Sequence, residues 1–487
     1  MDRKMTINRR KLLQTLPAAG LLAAAGPLAG RTVHASTTSS PAAPGPDTDK
    51  FQWRAIEAMI WGMPAVNLEL MRQAMLKVTQ GRTNLILYWS QLLDWKCQTL
   101  TPNSDVIYLK PFFDTRESGP IVVEVPPADD GVINGTLMDA WQSPLEDVGP
   151  AGLDAGAGGR YLILPPGYDA PIPQGYYVFR PATFSGYGLF RSILRSGSAA
   201  DLAKAVEYAR RLKLYPLSAA GNAPPTTFVD ANGTLFDSTI PYDTRYYEHL
   251  DRVVQKEPWL QRDRAMIDTL RTIGVEKGKP FSPGDTQREQ LDAAAKRAHA
   301  LLDDQFERLF DTPFWPGTRW AFVASQDLAA ELTQDFPDPN RYARDERGLL
   351  FTYAFFAPRR LGRGQFWLMS HQDSTGAALE GGKGYRLRVP PNVPIRQYWS
   401  MTAYDRQTHA FIRELSATSR SSQTPGLRVN RDGSVDLWLG PTAPKGWERN
   451  WLPTDPNGRF ELMARFYGPE PALFDQSWKL LDVERMA

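Results

Sequence analysis

The sequence predicts an α+β protein that is mainly β, and three observations support this class. The 487 residues include 38 Gly and 40 Pro, which favours many turns over long helices. Short runs of alternating apolar residues, typical of strands, occupy about 100–183 and again the chain from about 352 onward. The chain between them has the spacing of amphipathic helices. A content of 42% hydrophobic and 23% charged residues excludes a disordered or collagen-like protein.

The first 35 residues are predicted to be an export signal that does not contribute to the fold. Arg9 and Arg10 precede an alanine-rich apolar stretch from Leu16 to Ala29, and small residues end the segment at Ala35. This pattern is typical of a twin-arginine signal peptide, so we expect a periplasmic or secreted protein. The apolar stretch is too short to span a membrane. Residues 36–49, rich in Pro and Ser, are predicted to be a linker.

Charge and cysteine content exclude several kinds of partner. The signal carries a net charge of +5, so its removal changes the formal charge of the chain from +2 to −3. A nearly neutral chain without a Lys/Arg block gives no reason to expect nucleic acid as a partner. Cys97 is the single cysteine and therefore forms no internal disulfide. The sequence contains no nucleotide-binding, zinc-protease, serine-hydrolase or redox-thiol motif, and no cofactor is identified.

The elements follow in order along the mature chain. Residues 51–78 are expected to form two short helices, interrupted at Gly62-Met63-Pro64. The other predicted elements are strands at 121–125, 132–141 and 159–164, helices at 199–214, 241–270 and 285–310, and strands at 366–369, 385–389, 397–404, 435–439 and 460–467. These elements divide the chain into N-terminal helices plus a β domain over 50–190, a helical connecting region over 191–340 and a C-terminal β domain over 341–487.

Several segments carry a resemblance that spans nearly all of the mature chain. They are Thr101-Pro102-Asn103-Ser104-Asp105-Val106-Ile107-Tyr108, 119–126, the strand that ends in Asp139, 273–281, 391–394, 398–405, 432–434, 450–453 and 465–469. Together they resemble the exported bacterial family that pairs the domains of unknown function numbered 1254 and 1214. The resemblance implies two β-sandwich or jelly-roll-like domains joined by helices, the second of them jelly-roll-like. It implies no established reaction.

Two acids are candidates for proton transfer, with Tyr108 assisting. Alternation over 132–141 places Asp139 and Trp141 on one face, where burial of the carboxyl would raise its pKa and suit it to act as a general acid. Alternatively Asp139 caps the strand end or pairs with an arginine. Asp105 is likewise either a proton-transfer group or a structural residue. In the structural interpretation, the short polar side chains of Asn103-Ser104-Asp105 hold a turn through local hydrogen bonds.

The C-terminal strands supply candidates for substrate binding. Tyr398, Ser400, Thr402 and Tyr404 share a face that suits a sugar or another polar, partly apolar ligand, or else packs against a second subunit. Arg465 is expected either to clamp a carboxylate or sulfate, or to pair with Asp405 or Asp432. The predicted binding residues are therefore Asn103, Trp141, Tyr398, Tyr404 and Arg465. His371 and Asp373 are assigned to a solvated loop, and no metal site is predicted.

The sequence leaves two functions open. The first is a periplasmic hydrolase or lyase that acts on a carbohydrate or similar small polar molecule. The second is a non-catalytic glycan-binding or assembly protein of the cell envelope. Expected partners are a small-molecule or glycan ligand and a second copy of the chain in a homo-oligomer, with neither nucleic acid nor a membrane span.

Overall fold

The N-terminal part of the structure begins with a long helix and continues mainly as strands. A computed structural model describes residues 46–355 and 358–486, and 46–487 form one compact unit. The predicted signal over 1–35 lies outside the described residues. The elements up to residue 216 are α1 (Pro46–Val78), β1 (Leu85–Tyr88), β2 (Cys97–Gln98), β3 (Val106–Asp114), α2 (Thr115–Ser118), β4 (Ile121–Val125), β5 (Ile133–Asp139), β6 (Pro144–Val148), β7 (Gly159–Ile163), β8 (Tyr177–Phe179), β9 (Ser185–Ile193), α3 (Ala199–Ala209) and β10 (Lys213–Pro216).

Helices dominate the middle of the chain and strands dominate its last third. The remaining elements are β11 (Phe228–Asp230), β12 (Phe236–Asp237), α4 (Thr244–Lys256), α5 (Met266–Thr272), α6 (Asp285–Leu309), α7 (Gln326–Thr333), α8 (Arg344–Tyr353), β13 (Gln365–Ser370), β14 (Tyr385–Val389), β15 (Trp399–Asp405), β16 (Ser419–Ser421), β17 (Val435–Gly440), β18 (Trp451–Pro453), β19 (Phe460–Tyr467), α9 (Pro471–Phe474) and β20 (Glu484–Arg485). With 28% helix and 24% strand in several antiparallel sheets, the fold is α+β, as predicted.

Two pairs of packed sheets form two β-sandwiches. In the first, a six-stranded sheet of order β11-β1-β3-β9-β5-β6 faces a four-stranded sheet of order β10-β4-β7-β8. In the second, sheets of order β13-β19-β15-β16 and β18-β17-β14-β20 face each other. Each sandwich encloses its own apolar core, because one face of most of its strands is buried against the opposite sheet.

A third and larger core lies between the two sandwiches and the helices. It contains the outward faces of β3 and β15, most of α1, and apolar residues of α4, α5, α6 and α8. α1 packs against all four of these helices. The sandwiches therefore share a buried boundary, and this boundary holds the site described below.

The predicted break in the first helix is wrong, since α1 continues through Pro64 for 33 residues. Proline lacks the N–H that would bond to the carbonyl of Ile60. Gly348 of α8 approaches that carbonyl so closely that a Cβ at position 348 would lie 2.3 Å from the oxygen. The Pro64 carbonyl in turn accepts a hydrogen bond from Gln142 Nε2 at 2.7 Å. Tertiary contacts thus accommodate a proline that would break an isolated helix.

Other boundaries differ from the predictions for local reasons. The helix predicted over 199–214 ends at Ala209, and Lys213–Pro216 joins the sheet as β10. The helix predicted over 241–270 divides into α4 and α5, because Pro258 holds the preceding residue, Glu257, in an extended conformation. The linker predicted over 36–49 overlaps the start of α1. Strands β4, β14 and β19 have the predicted bounds.

Candidate functional site

Strand β3 presents Tyr108 and Lys110 to the boundary between the sandwiches. All nine residues of β3 are buried. Because side chains alternate along a strand, Tyr108 and Lys110 share one face, whereas Leu109 points into the first sandwich core. Arg191 of β9 lies directly opposite Tyr108 in antiparallel register. Three polar side chains therefore project from one otherwise apolar sheet face.

Strand β19 presents Arg465 from the second sandwich. Arg465 is paired in register with Trp367 on one side and with Ser400 on the other. Its guanidinium donates to Thr402 Oγ1 at 3.0 Å, and its carbon Cζ lies 5.7 Å from the centre of the Tyr404 ring. Alternation along β15 places Tyr404 on this side, as predicted, and Trp399 and Met401 in the second sandwich core.

The segment that precedes β3 connects the two sandwiches. The carbonyl of Thr101 accepts from Arg465 Nη2 at 2.7 Å, and that of Pro102 accepts from the Tyr404 hydroxyl at 2.5 Å. Asn103 Nδ2 donates to the hydroxyls of Tyr398 and Tyr467, each at 2.9 Å. These bonds fix Arg465 and the tyrosines relative to β3.

A small cavity lies where these parts meet. Its lining includes Lys110, Arg191 and Arg465, together with Tyr108, Trp89 and Trp367. Its volume is about 20 Å³, room for one or two water molecules. No Asp or Glu is among its lining residues.

The three basic side chains at the cavity form no close ion pair, although the buried Asp105 carboxyl interacts electrostatically with Arg465 from a greater distance. Within the described residues, neither Lys110, Arg191 nor Arg465 lies within 4.0 Å of a carboxylate. Lys110 and Arg465 are buried, with 3% and 5% of their surface exposed. Buried charges in proteins are normally paired, because removing an ion from water without compensation is costly. A cavity with this charge suits an anionic ligand.

Lys110 lies among aromatic rings and a thioether. Its Nζ is 3.6 Å from Met71 Sδ and 5.1 Å from the centre of the Phe236 ring. Burial, and to a smaller extent the positive charge of Arg191, lowers the pKa of Lys110 to about 8. Burial also raises the pKa of the neighbouring Cys97 thiol to about 12, so that this thiol is not a nucleophile at neutral pH.

The structure brings together six of the eight predicted site residues. Tyr108 and Arg465 line the cavity, and Asn103, Tyr398 and Tyr404 support its walls. The Asp105 carboxyl does not line the cavity; burial raises its pKa, and the hydroxyls of Ser419 and Ser421 together with the positive charge of Arg465 oppose the rise. The Asp105 amide donates to Asn103 Oδ1 at 2.9 Å, the local turn that the sequence offered as the alternative.

Asp139 and Trp141 lie apart from the cavity. β5 ends at Asp139, so Trp141 does not continue its face and instead packs against Trp61 of α1, with ring centres 4.6 Å apart. Asp139 Oδ1 accepts hydrogen bonds from the amides of Trp141 and Ser143 at 2.9 and 2.8 Å. Asp139 therefore caps the strand end, the structural alternative to a general acid. Burial raises the pKa of the Asp139 carboxyl to about 6.

Two other sequence interpretations need correction. Arg465 pairs with neither Asp405 nor Asp432, since its strand points it at the cavity. His371 and Asp373 are buried, with 4% and 1% exposed, and are not in a solvated loop. β13 ends at Ser370 and carries His371 against the ring of Phe310.

His371 belongs to a second polar group, which we call the Arg406 cluster. Arg406 Nη2 lies 2.9 Å from Asp303 and 2.8 Å from Glu307, and its Nε is 3.9 Å from Glu461. The cluster is completed by His371, near Glu307, and His409, whose Nδ1 is 2.8 Å from Glu461. In residues 46–355 and 358–486, no group of three or more His, Cys, Asp or Glu side chains is placed to hold a metal ion.

Lys110 and Arg191 were not among the site residues predicted from the sequence. A lysine within Ile107-Tyr108-Leu109-Lys110-Pro111-Phe112, on the same face as Tyr108, is the signal that would have identified it. Arg191 gives no comparable signal, because its position depends on the pairing of β9 with β3.

Comparison with known proteins identifies the domains. Residues 83–216 match the family model described as a protein of unknown function (DUF1254), and 364–471 match the one described as a protein of unknown function (DUF1214). Both domains are present in the predicted order, so the resemblance inferred from the motifs is confirmed. No curated protein matches the chain.

Solved structures share the fold at low identity. The crystal structure of the VPA0106 protein from Vibrio parahaemolyticus is 18% identical, with a TM-score of 0.54, and the match covers 91% of this chain and 100% of that one. An uncharacterized protein from Burkholderia cenocepacia is 12% identical, with a TM-score of 0.39 and coverage of 90% and 95%. The first likeness bears on the fold alone. In the described part of this chain, no helix combines the length and the apolar character that crossing a bilayer requires.

Proposed function

We propose that this protein, which pairs DUF1254 with DUF1214, is an exported hydrolase or lyase whose small polar substrate bears a carboxylate bound in the cavity between the sandwiches. The observation that carries the proposal is the set of basic residues Lys110, Arg191 and Arg465, which line one cavity that has no Asp or Glu in its lining. Sugar acids and other small carboxylic acids are the substrates that fit this charge.

The guanidinium of Arg465 is the principal anion-binding group. Thr402 accepts a hydrogen bond from its Nη1, and the carbonyls of Thr101 and Pro102 accept from its Nη2, so that it is held in place. A guanidinium held in this way is suited to bind a planar carboxylate through two parallel hydrogen bonds. The cavity volume of about 20 Å³ limits what enters without rearrangement to a group of about carboxylate size.

Tyr108 is placed to transfer a proton to or from the bound substrate. Its hydroxyl accepts from the backbone amide of Asn103 at 3.2 Å and from Arg191 Nε at 3.4 Å. Both contacts leave the phenolic proton free to point into the cavity that Tyr108 lines. General acid–base catalysis requires such a group within hydrogen-bond reach of the reacting atoms. Asp105 and Asp139, which do not line the cavity, have no role in this scheme.

Export by the twin-arginine route is part of the proposal. It is supported by Arg9 and Arg10 ahead of an apolar stretch and by the small residues that end at Ala35. Fractionation of cells that produce the full chain, and of cells that produce the Arg9→Lys, Arg10→Lys variant, tests it. Loss of the periplasmic form in the variant is expected, and unchanged export would contradict the route. The homo-oligomer stays a prediction, which light scattering of the mature chain checks.

A ligand screen tests the proposed substrate class. Residues 36–487 are heated with a panel of uronic acids, short carboxylic acids, aromatic acids and neutral sugars. A ligand that binds the folded state raises Tm, and we expect the acids to raise it and their neutral counterparts to leave it unchanged. A rise with neutral sugars only would contradict the proposal.

Turnover of the acids that bind is then measured for the wild type and for Tyr108→Phe. We expect the variant to bind the acid but to lose about 100-fold in turnover, the usual contribution of a positioned proton-transfer group. Binding of acids by the wild type without any conversion would favour the alternative of a non-catalytic binding protein.

A further inference from the structure

Lys110 has surroundings that are unusual for a structural lysine. Nothing acidic is within 4.0 Å of its Nζ among the described residues, and that atom is surrounded by Met71 Sδ and the rings of Trp89, Tyr108 and Phe236. Buried lysines that only stabilise a fold are normally paired with a carboxylate. The Lys110 side chain nevertheless reaches the cavity that Arg191 and Arg465 line.

These surroundings raise the neutral fraction of the Lys110 amine above that of an exposed lysine. Burial penalises the ammonium form, and the positive charge of Arg191 on the adjacent strand adds to that penalty. Cys97, a titratable group beside Lys110 in addition to Tyr108, holds its proton at neutral pH because it is buried. A lysine in an apolar pocket next to another cation is the usual arrangement for an amine nucleophile that attacks carbonyl carbon.

We propose that Lys110 is a catalytic residue that forms an imine with a 2-oxo acid, whose carboxylate is bound by the guanidiniums of Arg465 and Arg191. The inference rests on the proposed function, because it uses the same cavity and the same anion-binding groups. It narrows the substrate from carboxylic acids in general to those with a carbonyl next to the carboxylate.

The step is balanced without any further reactant. The Lys110 nitrogen lone pair forms a bond to the carbonyl carbon, and the electron pair of the C=O bond moves to oxygen, which takes up a proton. The resulting carbinolamine loses water as the nitrogen forms its double bond to carbon. One molecule of water leaves for each imine formed, and hydrolysis reverses the step.

Reductive trapping tests the proposal. The mature chain is incubated with pyruvate and cyanoborohydride, which reduces an imine to a stable amine. Intact mass spectrometry is expected to show a gain equal to the mass of the ligand less one oxygen atom, and peptide mapping is expected to place it on Lys110. Trapping is expected to rise with pH up to about 8, where the pKa of Lys110 lies. Lys110→Met is expected to abolish the adduct, and Lys213→Met, a change of an exposed lysine, to leave it unchanged.

Two measurements keep the outcomes separate. Thermal shift confirms that Lys110→Met is folded, so that a lost adduct reports the amine itself. Lactate, which has a hydroxyl in place of the carbonyl, measures carboxylate binding alone. If lactate and pyruvate both bind but no adduct forms at Lys110, the imine is wrong and the proposed function stands. If neither binds, the imine is wrong, and the proposed function fails as well only if no acid of the ligand screen raises Tm. An adduct on exposed lysines only also overturns the imine.

Discussion

The cavity and the Arg406 cluster both bury basic side chains near the boundary of the sandwiches, but their charges are paired differently. Arg406 has Asp303 and Glu307 within hydrogen-bond distance and Glu461 close behind. Arg465 has only neutral acceptors, namely a hydroxyl and two backbone carbonyls. The paired cluster holds elements together, since Asp303 and Glu307 belong to α6 and Glu461 to β19. Arg465 faces a cavity and not a carboxylate, and this arrangement favours a site for an anionic ligand.

Glu461→Ala is expected to have the largest effect on stability. Glu461 is 0% exposed, and its loss leaves His409 and Arg406 without their most deeply buried partner. We expect the free energy of unfolding to fall by about 3 kcal/mol, as when one partner of a buried pair is removed. Urea unfolding measures it. Glu484→Ala, which removes an exposed partner of Arg386, is the control, with an expected loss below about 1 kcal/mol. Equal losses would show that the Arg406 cluster does not stabilise the fold.

Arg465→Met is expected to act on ligand binding more than on stability. The affinity for a carboxylate found in the screen should fall about 100-fold, because a desolvated charge-assisted contact is lost. Isothermal titration measures the affinity, and Arg413→Met, which changes an exposed arginine paired with Asp237, serves as the control. Unchanged affinity in Arg465→Met would show that Arg465 is not the principal anion-binding group of the cavity.

Lys110→Met is expected to change the pH dependence of stability. The folded-state pKa of Lys110 is lowered from 10.5 to about 8, so between these values the unfolded chain retains a proton that the folded chain has lost. The stability of the wild type relative to the variant should therefore rise with pH in this window, by about 1.4 kcal/mol per pH unit. Urea unfolding at several pH values checks this. A difference that is flat across the window would mean that Lys110 titrates as an ordinary lysine.

Asn103→Ala is expected to have the smallest effect. It tests whether the hydrogen bonds of Asn103 position the residues around the cavity. Its side chain holds the hydroxyls of Tyr398 and Tyr467, and both bonds are lost in the variant. We expect a loss of about 1 to 2 kcal/mol in the free energy of unfolding and about tenfold weaker carboxylate binding. Chemical unfolding and titration calorimetry measure the two. If the variant loses stability but binds the carboxylate with full affinity, Asn103 stabilises the fold without contributing to ligand binding.

The sequence predicted most of the architecture because the signals for it are local. Alternation in Tyr385–Val389 and Phe460–Tyr467 was sufficient to give the bounds of β14 and β19. Pro64 shows where local signals fail, since the residue that compensates for it, Gly348, comes from a helix far along the chain. A break was the reasonable local prediction, and a tertiary contact overrides it.

The candidate site was only partly predictable for the same reason. Tyr108, Tyr404 and Arg465 were identified from strand faces, and the structure groups them. Asp139 was considered a general acid because burial of its carboxyl was correctly anticipated, but burial alone does not place a residue at a cavity. Arg191 was missed because only the register of β9 against β3 brings it opposite Tyr108.

The hydrogen bond from Arg465 to the Thr101 carbonyl joins residues that are 364 positions apart in the chain. Contacts of such long range form late in folding, because the entropy of closing a large loop is offset only once both sandwiches exist. Neither sandwich can complete the cavity by itself. A carboxylate ligand would therefore recognise only chains that have finished assembling, and its binding would slow their unfolding. Such a ligand would report on correct folding as well as serving as a substrate.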